Sequence, residues 1–166
     1  QGYDPTLGST TYATVSGVLA YDDPVTGEVY HLVINQAIHK PHLDHHLLCP
    51  MQCRVNDVVV DDTPKFLASD PTDNMHALTI RDPDWPAQAI ILRLALRGVT
   101  SLLNVRGITL DEWTSDAFKR LHLTSETLTW DPTTTLYEEQ EAAMVDYSGR
   151  VVTTTRPLLV HINSLV

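Results

Sequence analysis

Side chains that can hold a metal ion are concentrated in one stretch of the sequence. They are His39, His42, Asp44, His45, His46, Cys49 and Cys53. Zinc takes three or four nitrogen, sulfur or oxygen ligands in a tetrahedron, so these residue types suit it. However, the spacing matches none of the zinc-finger arrangements, and Pro41 disfavours a helix that would present two histidines together. The pattern therefore favours a polar connector whose imidazoles face water, with a metal-dependent site as the alternative.

Two pairs of adjacent aspartates have the residue type for acid–base chemistry. The pairs are Asp22-Asp23 and Asp61-Asp62. Neighbouring residues of a strand point to opposite faces, so the two carboxylates of such a pair seldom reach one substrate. Both pairs also fall at predicted turns, where aspartate is favoured because its side chain bonds to nearby backbone amides. We therefore interpret both pairs as water-exposed turn residues.

No activated nucleophile is recognisable from the local sequence. The Gly-x-Ser-x-Gly pattern is absent, and the seven glycines are too scattered to form a phosphate-binding loop. Cys49 lies among Leu47, Leu48 and Met51, which predicts a buried, unreactive thiol. We therefore assign no catalytic, cofactor-binding or metal-binding residue, and we expect no cofactor.

The charge of the chain argues against several classes of partner. Its 166 residues include 11 Lys+Arg and 21 Asp+Glu, which gives a net charge of −10. Nucleic acids and anionic membranes attract clustered cations, whereas Arg93, Arg97 and Arg106 are spread along apolar strands. No stretch approaches the 18 or so consecutive apolar residues typical of a membrane helix. We expect neither a nucleic-acid partner nor a membrane partner.

The first residues lack the features of a signal peptide. Gln1-Gly2-Tyr3-Asp4 contains no basic region and no apolar region, and the absence of an initial methionine suggests an excised or processed piece. This pattern predicts an intracellular, cytoplasmic protein. Cys49 and Cys53 are then expected to stay reduced, because cytosolic disulfides are uncommon.

Alternating apolar residues predict that β-strands dominate the chain up to Val105. The clearest element is a hairpin of strands 11–21 and 28–37, with turn residues Pro24 and Gly27 between them. Pro50 forbids a continuous helix through this point but allows one short helical turn that begins there. Further strands are predicted at four places: 54–60, 76–81, 89–97 and 99–105. The last two form either one bent strand or a tight hairpin around Gly98.

The pattern becomes helical after Gly107. Thr109 with Glu112, and Thr135 with Glu138, have the spacing of capping boxes, which predicts helices over 110–121 and 136–146. On the first helix, Trp113 and Phe118 are expected to lie in the core. A strand is predicted over 122–130, and Val151–Val166 is interpreted as an edge strand or a tail. The fold class that follows is mainly β (α+β), with two short helices in a C-terminal extension.

The region from Gly17 to Gln52 carries a family resemblance. It runs strand, turn, strand, and then Ile-His-Lys-Pro-His-Leu-Asp-His-His-Leu-Leu-Cys-Pro-Met-Gln. This order resembles the second half of the retropepsin-like protease region in copia-type retrotransposon polyproteins, where a hairpin leads into a Pro-x-Leu segment and a Leu-Leu-Ser/Cys-x-x-Gln run. The later segment 123–149 looks like the linker between protease and integrase in such elements. It contains Trp130-Asp131-Pro132 and Glu138-Glu139-Gln140-Glu141.

The resemblance implies an aspartic protease in which each of two protomers contributes one Asp from an Asp-Ser/Thr-Gly triplet. The sequence departs from this pattern because it contains no such triplet. Asp146-Tyr147-Ser148-Gly149 has an extra residue, and Asp62-Thr63-Pro64 lacks the glycine. His46 also precedes Leu47-Leu48 where many retropepsins have a glycine. The triplet is therefore expected upstream of Gln1, and no catalytic residue is assigned.

We therefore predict a retropepsin-like antiparallel barrel in 1–107, incomplete at its N-terminus, and an α+β extension or linker in 108–166. The expected function is that of a retroelement polyprotein fragment that is inactive on its own. It would form a homodimer and act on a peptide or polyprotein substrate only when completed upstream. Virus-like particles are an alternative intracellular location. The competing interpretation is a non-enzymatic β-rich binding or assembly module, such as a coat or adaptor protein.

Overall fold

The fold is mainly β, with two sheets and a few short helices. A computed structural model of the chain describes residues 13–39, 42 and 46–152. The chain divides into two compact units, residues 1–126 and residues 127–166. The division into a domain of residues 1–107 and an extension or linker of residues 108–166 stays a prediction.

The first sheet is built around the predicted hairpin. Its strands are β1 (Thr14–Asp22), β2 (Val29–Ile38), β7 (Arg106–Gly107) and β8 (Lys119–His122), in the order β7-β1-β2-β8. β1 and β2 are antiparallel and are joined by a turn in which Gly27 has a φ of 74°. Because a positive φ suits glycine, the turn sequence matches its geometry. The hairpin prediction is confirmed over residues 14–37, while Thr11 and Tyr12 lie outside the described residues.

In the second sheet, the strands lie side by side in the same order as in the sequence. They are β3 (Val59–Asp61), β4 (Ala77–Arg81), β5 (Ala89–Arg97) and β6 (Thr100–Leu103), all antiparallel in the order β3-β4-β5-β6. Gly98, with a φ of 62°, closes the turn between β5 and β6. Of the two alternatives for this region, the structure therefore has the tight hairpin.

The hydrophobic core draws on both sheets and on α1 (Pro50–Arg54). Its buried members are Tyr21, Tyr30, Leu32, Cys53, Val58, Leu78, Ile90, Leu92, Leu121 and Leu123. Full burial of a leucine side chain stabilises the fold by about 1.5–3 kcal/mol, so Leu32, Leu92 and Leu123 are major contributors. The short helical turn that the sequence allowed at Pro50 is present as α1.

Part of the predicted strand 54–60 is wrong. Arg54 belongs to α1, and the strand itself is restricted to β3. The helix ends because backbone amides after it, those of Val55 and Asn56, bond to carbonyls inside it, and Asp57 then adopts a φ of 59°. A short 3₁₀-helix, Lys65–Leu67, follows β3.

The predicted helix 110–121 is much shorter in the structure. α2 covers Leu110–Thr114, and its capping box between Thr109 and Glu112 is present as predicted. Residues 119–122 form β8, which pairs in parallel with β2 and buries Leu121. The strand prediction for 122–130 is therefore wrong beyond His122. The prediction that Trp113 lies in the core is also wrong, because its side chain is 45% exposed.

The second unit contains the second predicted helix. α3 covers Leu136–Met144, and Val145 and Val151 form an isolated antiparallel bridge beyond it. The capping box predicted at Thr135 is absent, since the hydroxyl of Thr135 bonds to Glu139 instead. Residues 153–166 of the predicted edge strand or tail lie outside the described residues. Within the described ranges, no helix has the length and apolar character needed to cross a membrane.

Candidate functional site

The histidine-rich connector shows no metal centre in its described part. His39, His42 and His46 are exposed, while Asp44 and His45 lie outside the described residues. Among the residues that the structure describes, no three metal-ligating side chains come together. Because part of the cluster is undescribed, the expectation that it binds no metal stays a prediction.

The aspartates at the turns bond to local backbone amides, as the sequence predicted. Asp23 Oδ1 accepts a hydrogen bond from the amide of Val25 at 2.8 Å, and Asp61 Oδ1 accepts one from the amide of Thr63 at 2.9 Å. Asp23 differs from the expectation because it is buried rather than exposed to water. Its negative charge is balanced by the guanidinium of Arg93, which donates from Nη1 to Oδ1 over 3.2 Å.

Two carboxylates converge on Arg106, at the edge of the first sheet. Its guanidinium donates to Asp22 at 2.9 Å and to Glu112 at 2.6 Å. The bond from Arg106, followed by the one from the amide of Thr109, lowers the pKa of Glu112 to about 2. The guanidinium therefore stabilises the charged form of Glu112, and it joins this residue of α2 to Asp22 of β1.

A second pair of carboxylates converges on Lys119. The ammonium group lies 2.7 Å from Asp82 and 3.0 Å from Asp84. The bond from Lys119, followed by amide bonds from Asp84 and Trp85, lowers the pKa of Asp82. Asp82 is buried and lies in the loop between β4 and β5, so this pair anchors that loop to β8.

The two cysteines are free thiols in different environments. Cys53 is fully buried in α1, and this burial raises the pKa of its thiol to about 12. Cys49 is exposed, which corrects the expectation of a buried thiol. Pro50 begins the helix immediately after it, so Cys49 is at the N-cap, outside the packed turn.

Two aromatic residues that were predicted for the core have other partners. Phe118 is half-buried and stacks on His31, with ring centroids 4.7 Å apart. Trp113 contacts the guanidinium of Arg120, which lies 5.0 Å from the centre of its ring. Cation–π contacts of this kind stabilise exposed sites by about 0.5–1 kcal/mol.

An apolar groove opens on the core-facing side of the second sheet. It has a volume of about 440 Å³, and its lining comes from α1, from β3 to β6 and from the adjoining loops. Its lining residues include Leu48, Val60, Leu78, Leu94, Ser101 and Leu103. Ser101 Oγ lies 2.9 Å from Nε2 of His76, which is buried.

Sequence reasoning missed this serine–histidine pair. The two residues are 25 positions apart, one immediately before β4 and the other on β6, and only the pairing of both strands with β5 brings them together. No local motif marks either residue. The hairpin that was one alternative for the strands on either side of Gly98 was an indirect signal, because it predicts that the strand carrying Ser101 pairs with its neighbour.

Comparisons with protein-family models, with curated proteins and with solved structures found no match.

Proposed function

We propose that the chain is a retropepsin-like region of a retroelement polyprotein that lacks the catalytic aspartate segment, and that it has no peptidase activity by itself. The β1–β2 hairpin followed by α1 supports this proposal. In the family pattern, a Leu-Leu-Ser/Cys-x-x-Gln run comes after the hairpin. In this chain the matching run is Leu-Leu-Cys-Pro-Met-Gln, and α1 begins within it.

The observation that carries the proposed inactivity is the state of the carboxylates. An aspartic protease needs two carboxyl groups that share one proton. Two pairs of carboxylates converge within the described ranges, and each pair binds a cation instead of sharing a proton. Asp22 and Glu112 bind Arg106, and Asp82 and Asp84 bind Lys119. In each pair a cation stands in place of the shared proton that an aspartic protease needs, and it lowers the pKa of Glu112 and of Asp82.

The proposal is tested by extending the chain upstream with the segment of its reading frame that carries an Asp-Ser/Thr-Gly triplet. We expect the extended protein to cleave peptides at acidic pH and to lose this activity when the triplet aspartate is changed to asparagine. The 166-residue chain is the matched control. Absence of any such triplet from the reading frame, or activity that survives the asparagine change, would overturn the proposal.

A second candidate function is a non-enzymatic binding or assembly module. It is favoured by two adjacent apolar residues of the 3₁₀-helix, Phe66 and Leu67, which are 75% and 65% exposed. Neighbouring exposed apolar side chains often mark interaction surfaces. Sedimentation velocity over a range of concentrations tests whether the chain forms a homodimer. Replacement of both residues by serine should abolish self-association if this surface mediates it, whereas Val25→Ser, at an exposed turn, should not.

A further inference from the structure

The hydrogen-bonded pair of His76 and Ser101 has the arrangement of a nucleophile and its base. The Nε2–Oγ distance of 2.9 Å lies within the range for proton transfer between such groups. Ser101 lines the apolar groove, whereas His76 does not line it and is buried. The hydroxyl is therefore accessible from the groove while the imidazole supports it from within the protein.

The backbone at His76 has an uncommon conformation. Its φ is 52°, a backbone angle that residues other than glycine rarely adopt. The conformation is held by the pairing with β5, where the amide of Leu94 donates to the carbonyl of His76 at 3.0 Å. Such backbone strain is unfavourable and is concentrated at functional sites. Here it accompanies the placement of the imidazole beside the serine.

We propose that Ser101 is a nucleophile, activated by His76, that cleaves carboxylic esters with apolar acyl chains. Oγ would bond to the carbonyl carbon while its proton passes to Nε2. The alcohol would leave with that proton as the ester bond breaks. Water would then attack the acyl–serine bond, releasing the carboxylic acid and returning the proton to Oγ.

The groove determines which esters would fit. Leu78, Leu94 and Leu103 supply an apolar wall for the acyl chain, and Asp62 contributes a negative charge to the lining. A volume of about 440 Å³ is within the usual range for small-molecule sites. Neutral esters with acyl chains of several carbons should therefore react faster than acetate esters or esters that carry a free carboxylate.

The outer edge of β6 provides a donor for the developing oxyanion. Among the described strands, β6 has a neighbour on one side, β5. In a hairpin with a two-residue turn, the pair Arg97–Thr100 closes the ladder, so the amide of Ser101 points away from β5. This amide is available to a carbonyl oxygen that approaches Oγ from the edge.

This inference goes beyond the proposed aspartic-protease origin and is independent of it. Ester cleavage by Ser101 needs no carboxylate pair, so pepstatin should not affect it. Failure of the serine proposal would leave the retropepsin resemblance unchanged, and the reverse also holds.

The experiment treats the full chain with a fluorophosphonate and locates the adduct by peptide mass spectrometry. We expect labelling of Ser101 at least about tenfold faster than that of any other serine. Hydrolysis of p-nitrophenyl butyrate should fall about 100-fold in His76→Gln and should be lost in Ser101→Ala. Ser69→Ala, at an exposed loop residue, is the matched control and should retain both activities.

Mapping of the adduct on the unaltered chain keeps the test decisive even if a variant folds poorly. Equal labelling of several surface serines, or no adduct at Ser101, would overturn the proposal. Unchanged labelling of a folded His76→Gln variant, with an unchanged unfolding transition, would overturn it as well.

Discussion

The imidazole of His31 stacks on the phenyl ring of Phe118, with the ring centroids 4.7 Å apart and the planes inclined by 20°. His31 is fully buried on β2, and neither ring nitrogen has a hydrogen-bond partner within the described residues. A buried polar group without a partner is rare and costly. The stacking thus joins the segment between α2 and β8 to the first sheet through a histidine whose neutral form is favoured by burial.

Acidification should therefore destabilise the protein through His31. Burial lowers the pKa of this histidine; Arg120 and Arg106 lower it further, and Glu112 opposes them. As the pH falls below the unfolded-state value of about 6.5, the unfolded chain binds a proton that the folded chain does not, so the free energy of unfolding falls.

The check is urea unfolding of the unaltered chain, His31→Phe and His39→Gln at a series of pH values from 7.5 to 5. His31→Phe removes the titrating group and keeps a ring to stack on Phe118, so it should flatten the dependence on pH. His39 is exposed, and its variant should follow the unaltered chain. Equal slopes for all three proteins would show that His31 does not set the response.

The buried turn aspartate should matter more for stability than its exposed neighbour. Asp23→Ala removes bonds to the turn amides and leaves Arg93 without its carboxylate, so it should lower the free energy of unfolding by about 2 kcal/mol. Asp22→Ala removes an exposed ion pair with Arg106 and should cost less than about 1 kcal/mol. Chemical denaturation of both variants measures the difference. Equal effects would contradict the role assigned to Asp23.

The histidine-rich connector is expected to hold no zinc. The spacing of its histidines suits no recognised site, and its described members are exposed. Purified protein should therefore contain no stoichiometric zinc by elemental analysis, and a chelator should leave its melting temperature unchanged. One tightly bound zinc ion per chain would reverse the assignment of this segment.

Local patterns predicted the elements whose stability is local. The β1–β2 hairpin and the capping box at Thr109 were identified, because turn residues and caps act within a few positions. The error over 110–121 has a physical origin. Phe118 and Leu121 fit a helical spacing, but pairing of β8 with β2, about 89 residues away, overrides that preference.

The candidate site could not be predicted in the same way. His76 and Ser101 come together only because β4 and β6 both pair with β5. The residues that flank His76 and Ser101 in the sequence do not indicate this order of strands. The burial of Asp23 was missed for a similar reason. Its partner Arg93 comes from the other sheet, 70 positions along the chain.

The central claim is that the chain does not act as an aspartic protease by itself. The most direct measurement is cleavage of a peptide library by the purified 166-residue chain at pH 4–7, at concentrations that favour dimers and with and without pepstatin. No pepstatin-sensitive cleavage is expected, since the convergent carboxylates on the first sheet and in the β4–β5 loop are paired with Arg106 and Lys119. Peptide cleavage that pepstatin inhibits would contradict the account.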